Sequence, residues 1–243
     1  FMKKIFISLV LLAVLFSSFV FAGSTGIVSE VNGNSVVTAI VVQEGWNLVP
    51  VSVSSGAGFS IHRPTEFQGE PFDQDNIIGP ENAKYVWIYD IEKNKYVGGD
   101  PSLGANDGLR EFTDRVAESE GFSKYYDHVA AWYYFDKEGV LFLEKTTDRF
   151  PKLEDYELIP GWNFAHLVPD MDGKNITEFQ GDCNIERTAV WDPFDQNWMV
   201  SNKGDENFGF TVRDNGFALP ILLKVSDRCT FAGSSVAPPA IPQ

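Results

Sequence analysis

The chain is poor in cysteine, histidine and positive charge. Its 243 residues include 2 Cys and 3 His, and 19 Lys and Arg stand against 34 Asp and Glu, which gives a formal net charge of −15. Two cysteines are too few for a disulfide-dense small protein or a four-cysteine zinc site. The deficit of Lys and Arg argues against nucleic acid as a partner, because binding to phosphates needs a surplus of positive charge.

Apolar and aromatic residues, by contrast, are abundant. Hydrophobic residues make up 44% of the chain and aromatic residues 14%, with 20 Phe, 8 Tyr and 6 Trp. A disordered chain lacks the apolar side chains that a core requires, so this composition indicates a folded protein. The length suggests one or two domains.

Residues 1–22 have the pattern of a signal peptide. Lys3 and Lys4 precede an almost continuous apolar run, and small residues lie at positions −3 and −1 of a cleavage site after Ala22. We therefore predict a secreted, extracellular or cell-surface protein with no stable membrane span after cleavage. The alternative is a pilin-like filament subunit that begins at Phe1 and keeps this segment as a helix. Burial of the two lysines in a filament counts against it.

The rest of the chain contains an internal duplication. Three landmarks occur in the same order in both halves: Gly45-Trp46-Asn47 and Gly161-Trp162-Asn163, the identical pentapeptides Thr65–Gly69 and Thr177–Gly181, and Val86-Trp87 and Val190-Trp191. Ordered matches that include an identical pentapeptide indicate a repeat. The aromatic members are predicted to be core anchors that superpose in the pairs Trp46 and Trp162, Phe67 and Phe179, and Trp87 and Trp191.

The landmarks and the apolar runs between them predict a mainly β protein. Each half offers about five or six short strands, which is typical of a small antiparallel sandwich or barrel. In the first half, Leu109, Phe112 and Val116 have helical spacing and predict a helical insertion near 107–120. The predicted organisation is a signal peptide (1–22), an N-terminal lead-in (23–41), a first β module (42–150), a second β module (151–232) and a Pro-rich tail (233–243).

The Gly-Trp-Asn landmarks, the aromatic–Asp hairpins and the final Asp-x-Cys-Thr strand carry a resemblance. Together they resemble the GWN-type tandem β repeats of prokaryotic exported and cell-surface proteins, such as surface-layer and adhesin-like proteins. The resemblance covers about 42–143 and 159–231, and the first copy departs from it with Val140 where the second has Cys229. It implies a surface-structural, adhesion or binding role, with a cell-surface protein or polysaccharide as partner. It brings no catalytic residue.

No motif typical of an enzyme accompanies the three histidines. His166 lies in an apolar run and is interpreted as a hydrogen-bonded strand residue, because no nucleophile or metal motif accompanies it. The many carboxylates leave a secreted hydrolase open as an alternative, which would need two of them facing each other across a cleft. We therefore expect a non-enzymatic protein with no catalytic and no cofactor-binding residues.

The acidic loop at 170–175 is a candidate for calcium. Asp170 and Asp172 alternate before Gly173, and Asn175 follows. Because Lys174 stands where another ligand would be needed, the ligand count falls short and a solvated turn is the favoured interpretation. We expect no cofactor, with calcium as the open alternative.

Five aromatic residues are candidates for a ligand-binding face: Tyr125, Tyr126, Trp132, Tyr134 and Trp198. Alternation along strands would send about half of such residues into the core. Exposed and coplanar rings on one face would indicate a pair of carbohydrate-binding modules, which is the alternative to the structural or adhesive role.

Cys183 and Cys229 are predicted to form a disulfide. Both lie in the second copy, while the aligned positions of the first copy hold Pro71 and Val140, as expected for a pair gained or lost together. Export provides a setting in which the bond persists. A two-cysteine metal site would need a nearby His, and a redox pair would normally be C-x-x-C.

Overall fold

The structure is a computed structural model that describes residues 26–51, 59–91, 93–100, 111–112, 114–116, 129–205, 208, 211–212 and 216–231. The predicted signal peptide, the Pro-rich tail, and Tyr125 and Tyr126 lie outside the described residues. Within the predicted helical insertion, residues 111–112 and 114–116 are helical.

The described residues form sixteen β-strands. Those of the first half are β1 (Ile27–Asn32), β2 (Ser35–Val42), β3 (Gly45–Val51), β4 (Ser60–Ile61), β5 (Glu66–Phe67), β6 (Glu70–Pro71), β7 (Ala83–Asp90), β8 (Lys95–Gly99), β9 (Val129–Phe135) and β10 (Gly139–Thr146). Those of the second half are β11 (Glu157–Leu158), β12 (Gly161–His166), β13 (Ile185–Asp192), β14 (Asn197–Asn202), β15 (Pro220–Val225) and β16 (Cys229–Thr230). Further elements are helix α1 (Ile176–Phe179) and the 3-10 turns Gln74–Asn76, Pro80–Asn82, Thr147–Arg149, Leu153–Asp155 and Pro169–Met171.

The two halves repeat the same sheet topology. The N-terminal sheet has the order β3-β9-β7-β8 and the C-terminal sheet has the order β12-β15-β13-β14. In each sheet the Gly-Trp-Asn strand (β3 or β12) lies at one edge, the next strand is β9 or β15, and the hairpin (β7–β8 or β13–β14) completes the sheet. Each half adds an outer pair, β2 with β10 and β11 with β16. All of these pairings are antiparallel. The predicted mainly β, antiparallel fold is confirmed.

The described part of the lead-in contributes β1 and most of β2 to the outer sheet of the first half. Strand β2 pairs with β10 over eight residues, from Ser35 opposite Thr146 to Val42 opposite Gly139. Strand β1 pairs with the other edge of β2. The predicted limit between lead-in and first module, at residue 41, therefore falls inside β2.

The asparagine of each Gly-Trp-Asn landmark closes the loop that precedes its strand through hydrogen bonds to the backbone. The side chain of Asn163 accepts a hydrogen bond from the Ile159 N–H (2.9 Å), and its amide donates to the carbonyls of Ile159 (2.8 Å) and Gly161 (3.1 Å). Asn47 makes the same bonds to the residues four and two positions before it. The glycine of each copy has a positive φ, 104° in the second and 108° in the first, which favours glycine. This geometry explains why both residue types recur together.

The identical pentapeptides fold differently. In the first half the segment forms the hairpin β5–β6, with positive φ at Gln68 and Gly69. In the second half it forms α1, because the Asn175 side chain accepts from the Thr177 N–H (3.0 Å) and caps the helix. Arg63 stands at the position of Asn175 in the first copy and offers no such cap. The conformation of the identical pentapeptide therefore depends on the residue that lies two positions before it.

The phenylalanine of each pentapeptide nevertheless packs inward. Phe67 contacts Phe142 with ring centroids 5.3 Å apart, and Phe179 contacts Phe231 at 5.4 Å. Phe179 is fully buried in the large core of the second half, whereas Phe67 is half-buried. Both contacts join the pentapeptide to the end of its own half.

The hairpin register corrects one predicted superposition. Each hairpin closes on an aspartate: Asp90 pairs with Lys95, and Asp192 pairs with Asn197. The residue before each aspartate is Tyr89 in the first half and Trp191 in the second. Tyr89, and not Trp87, is therefore the structural counterpart of Trp191. The alignment of Val86-Trp87 with Val190-Trp191 by sequence identity is therefore shifted by two residues from the structural alignment.

The two halves share a buried core. One continuous cluster contains Leu48 of the N-terminal sheet together with Phe164, Ala189 and Leu222 of the C-terminal sheet. A second junction forms around the buried His166, whose Nδ1 lies 3.2 Å from the carbonyl oxygen of Val129. The halves are thus joined by side chains that neither could bury alone.

Two tyrosines, the half-buried Tyr133 and the buried Tyr156, predict a loss of stability at alkaline pH. Burial raises the pKa of the Tyr133 hydroxyl to about 12. Burial also raises the pKa of Tyr156 well above its ordinary value of 10.0, and the negative charges of Asp170 and Asp155 add to the effect. In the unfolded chain both hydroxyls ionise near pH ~10. Because the folded state holds these protons more tightly, its stability is fully present below about pH 10 and falls as the pH rises through about 12.

This expectation is measured by urea unfolding between about pH 9 and 12, together with the tyrosinate absorbance. Tyr133→Phe keeps the ring but removes the titrating group, so we expect it to reduce the alkaline loss by about 2–3 kcal/mol. Ionisation of all tyrosines by about pH 11 in a chain with intact far-UV circular dichroism would contradict the raised pKa values.

Candidate functional site

Six aromatic side chains converge where the N-terminal sheet meets the C-terminal sheet. They line a groove with a volume of about 530 Å³: Trp46, Trp87, Tyr96, Trp132, Trp191 and Trp198. We call this the aromatic groove. It uses five of the six tryptophans of the chain. The sixth, Trp162, packs against the shared core instead.

The N-terminal sheet contributes one ring from each of its four strands. Trp87 lies directly opposite Trp132 in the β7–β9 pair, and Trp46 lies opposite Tyr134, two residues along from Trp132. Directly paired residues and residues two apart share a face of the sheet, so these rings point the same way. Tyr96 joins that face because its partner on β7 is two residues from Trp87.

The C-terminal sheet contributes its hairpin. Trp191 on β13 pairs with Trp198 on β14, and their ring centroids are 5.4 Å apart. Trp132 reaches across from the N-terminal sheet and contacts both, at 4.8 Å from Trp191 and 5.5 Å from Trp198. Trp132 therefore lies at the centre of the site.

The Gln196 side chain holds the two contributions in place. Its Oε1 accepts from the N–H of Trp46 (2.9 Å), and its Nε2 donates to the carbonyl of the same residue (3.0 Å). The indole N–H of Trp191 donates to that carbonyl as well (3.0 Å). A Cβ at Gly45 would lie 2.7 Å from Gln196 Oε1, so the glycine provides the space for this clasp.

Gly45→Ala and Gly161→Ala form a matched pair that tests the clasp. Both glycines have positive φ, so alanine at either position costs about 1–2 kcal/mol of backbone strain. A Cβ at Gly161 meets nothing within 4 Å. Only Gly45→Ala also displaces Gln196, so we expect it to destabilise by about 1–2 kcal/mol more, as two hydrogen bonds are lost. Equal losses in urea unfolding would show that the clasp contributes nothing.

The aromatic groove carries no formal charge near neutral pH. Its one ionisable lining group is Tyr96, which is 45% exposed and accepts a hydrogen bond from the Trp132 indole (3.4 Å). Partial burial raises the pKa of Tyr96 above 10.0, and the bond from Trp132 opposes that shift. An uncharged, largely carbon surface thus lies on a chain of net charge −15.

The predicted ligand-face residues divide into three groups. Trp132 and Trp198 line the aromatic groove. Tyr134 lies beside it and packs against Trp46, with ring centroids 5.2 Å apart. Tyr125 and Tyr126 lie outside the described residues.

The six residues predicted to be core anchors divide between the core and the aromatic groove. Phe179 is fully buried, but the other five anchors are half-buried. Of those five, Trp46, Trp87 and Trp191 line the aromatic groove. The sequence interpretation therefore missed these three and Tyr96 as site residues, because a tryptophan on a strand carries the same pattern whether its face is covered or open.

Two oxygens of the candidate calcium loop accept hydrogen bonds from within the loop: the side-chain oxygen of Asn175 and the backbone carbonyl of Asp170. The Asn175 Oδ1 accepts from both the N–H and the hydroxyl of Thr177, each at 3.0 Å. Lys174 Nζ donates to the carbonyl of Asp170 (2.8 Å). Across the described ranges, no three His, Cys, Asp or Glu side chains form a group that could hold a metal ion.

The predicted disulfide is present. Cys183 and Cys229 are bonded, with Cα atoms 5.0 Å apart, and both are buried. The bond ties the segment after α1 to the short last strand β16.

Comparisons with protein-family models, with curated proteins and with solved structures found no match for this chain. The resemblance to GWN-type repeats therefore stays a prediction. In the part of the chain that the structure describes, no helix has the length and apolar character needed to cross a membrane.

Proposed function

We propose that this protein is an exported, non-enzymatic binding protein that acts at the cell surface and holds its ligand in the aromatic groove. The observation that carries the proposal is the convergence of five tryptophans and Tyr96 on one groove. The surface-structural or adhesive role expected from the sequence then depends on what this groove binds.

The burial of the rings supports a binding role. The five groove tryptophans are half-buried, so each keeps apolar area in contact with water. A ligand that covered this area would recover the hydrophobic free energy now forgone. The volume of about 530 Å³ lies within the range of small-molecule sites.

The cell-surface setting has two supports. Residues 1–22 carry the signal-peptide pattern, and the Cys183–Cys229 disulfide is compatible with an extracellular location. The partner would be a surface polysaccharide or a surface protein. The net charge of −15 disfavours nucleic acid.

Carbohydrate binding is the second candidate. It is favoured because Trp132 and Trp198, two of the predicted ligand-face residues, line the aromatic groove, and aromatic faces stack on sugar rings. The two ring planes, however, meet at 82°. They do not form the coplanar platform that a flat sugar chain would require.

The hydrolase and filament alternatives have less support. All six lining residues are aromatic, so they supply no carboxylate or imidazole for acid–base chemistry. A filament subunit would retain residues 1–22, and the intact mass of the exported protein distinguishes this from cleavage after Ala22.

Binding of labelled protein to cell-surface material tests the proposal. The variants are Trp198→Leu, which removes a groove ring, and Trp162→Leu, which removes the one tryptophan outside the groove lining. We expect at least a ten-fold weaker binding for Trp198→Leu and little change for Trp162→Leu, with circular dichroism to verify both folds. Equal binding by the wild type and both variants would overturn the assignment of the site.

A further inference from the structure

We propose that the aromatic groove binds a quaternary ammonium cation, such as the trimethylammonium group of choline. This inference rests on the proposed function, because it assumes that the groove is the binding site. It adds the chemical class of the ligand.

The angles between the rings point to a compact ligand. The plane of Trp132 meets those of Trp46, Trp191 and Trp198 at 81°, 89° and 82°. These rings also pack against Trp132 edge to face, with centroids 4.8–6.4 Å apart, so the wall that they form has faces and edges turned in different directions, whereas parallel rings would present one flat surface. A round cation can contact several such rings at once, and a cation is attracted to an aromatic face within about 6 Å of its centroid.

The type of ring adds to the case. Tryptophan has the strongest attraction for cations among the aromatic side chains, and it supplies five of the six lining residues. The tyrosine that completes the lining contributes a further electron-rich ring. This composition exceeds what apolar contact alone requires, since leucine or valine would serve that purpose.

The hydrogen-bonding state of the groove distinguishes between cations. The indole N–H of Trp191 is bonded to the carbonyl of Trp46, and that of Trp132 is bonded to the hydroxyl of Tyr96. A sugar or a primary ammonium needs several polar partners when it leaves water. A quaternary ammonium has no N–H and needs none, so it fits a lining that is largely carbon.

The negative net charge of the whole chain favours a cation over a neutral ligand of the same shape. The net charge of −15 raises the local concentration of cations around the protein. Among the described residues, the cation–ring contacts involve Tyr85, Phe112, Phe59 and Phe150, none of which lines the groove. None of these cation–ring contacts therefore lies in the groove.

Titration of the full chain with choline tests this inference, with tryptophan fluorescence and calorimetry as readouts. The neutral control is the choline analogue in which a tert-butyl group replaces trimethylammonium. We expect choline to quench the fluorescence and to bind about ten-fold more tightly than this analogue, which is the effect of a cation–π contribution. Trp198→Leu should weaken choline binding at least ten-fold, and Trp162→Leu should leave it unchanged.

The outcomes separate the inference from the proposed function. Equal affinity for choline and its neutral analogue would overturn the cation assignment but leave the groove as a binding site. Choline binding that Trp198→Leu and Trp132→Leu do not weaken would also overturn it. Absence of choline binding, combined with loss of cell-surface binding in Trp198→Leu, would overturn the ligand class alone. Indifference of cell-surface binding to Trp198→Leu would overturn the proposed function.

Discussion

Asn163→Ala is expected to lower the free energy of unfolding by about 3–5 kcal/mol. The side chain is fully buried and bonds to Ile159 N–H, Ile159 C=O and Gly161 C=O, with a longer contact of 3.5 Å to the Leu223 carbonyl. Alanine would remove the side-chain partner of these part-buried backbone groups of Ile159 and Gly161. Each such group costs about 1–3 kcal/mol, which makes this a large effect for one small side chain.

Asn47→Ala should have an effect of similar size, because Asn47 is equally buried and makes the same three short bonds. Asn202→Ala is the matched control: its amide bonds to Asp205 on the exposed face, and we expect a change of about 0.5 kcal/mol or less. Urea unfolding of the three variants gives the comparison. Losses below about 1 kcal/mol for both buried positions would show that the Gly-Trp-Asn landmark is not the loop closure described above.

The repeated architecture was predictable because it depends on local patterns. The landmarks and the apolar runs between them predicted a mainly β chain, and the ordered recurrence of three landmarks predicted two copies. The conformation of the pentapeptide was not predictable from its own sequence, because Asn175 caps a helix in one copy and Arg63 does not in the other. The predicted superposition of Trp87 on Trp191 was wrong because the aspartate at the turn, and not the shared Val-Trp dipeptide, marks equivalent positions in the two hairpins.

The aromatic groove was only partly predictable for a different reason. Trp132 and Trp198 were candidates from composition, but their convergence depends on how the two sheets face each other. That packing is fixed by long-range contacts, such as the bonds of Gln196 to the backbone of Trp46, 150 residues earlier. A sequence pattern within one half carries no information about such a contact.

The two repeated hairpins contact the opposite sheet through different rings. In the second half the hairpin pair is Trp191 and Trp198, and Trp132 packs against both. In the first half the corresponding pair is Tyr89 and Tyr96, which Phe164 contacts from the other sheet, at 5.9 Å and 6.5 Å. The ring that contacts the hairpin from the opposite sheet is therefore the half-buried Trp132 in one case and the buried Phe164 in the other.

Removal of the disulfide is the second change with a large expected effect. Cys183 and Cys229 are 46 residues apart, and closing a loop of that size stabilises by about 3–4 kcal/mol in the chain-entropy model. The double substitution Cys183→Ser with Cys229→Ser should therefore lower the free energy of unfolding by that amount. In the unfolded, unreduced wild type, thiol titration should find no free thiol.

The outer strand pairs give the physical reason for a disulfide in only one half. In the first half, β10 is the last strand, and it is held by a long ladder of eight residue pairs with β2. In the second half, β16 pairs with β11 over two residues only, Glu157 with Thr230 and Leu158 with Cys229. A two-residue ladder is a weak attachment, and the disulfide provides the attachment that the ladder lacks.

Reduction of the disulfide should consequently release β16 before any strand of the first half. Hydrogen exchange should then rise first at the amides of Thr230 and Phe231, which are bonded to Asp182 and Tyr156. Equal protection of these amides before and after reduction, or unchanged stability of the double variant, would mean that side-chain packing alone holds the last strand.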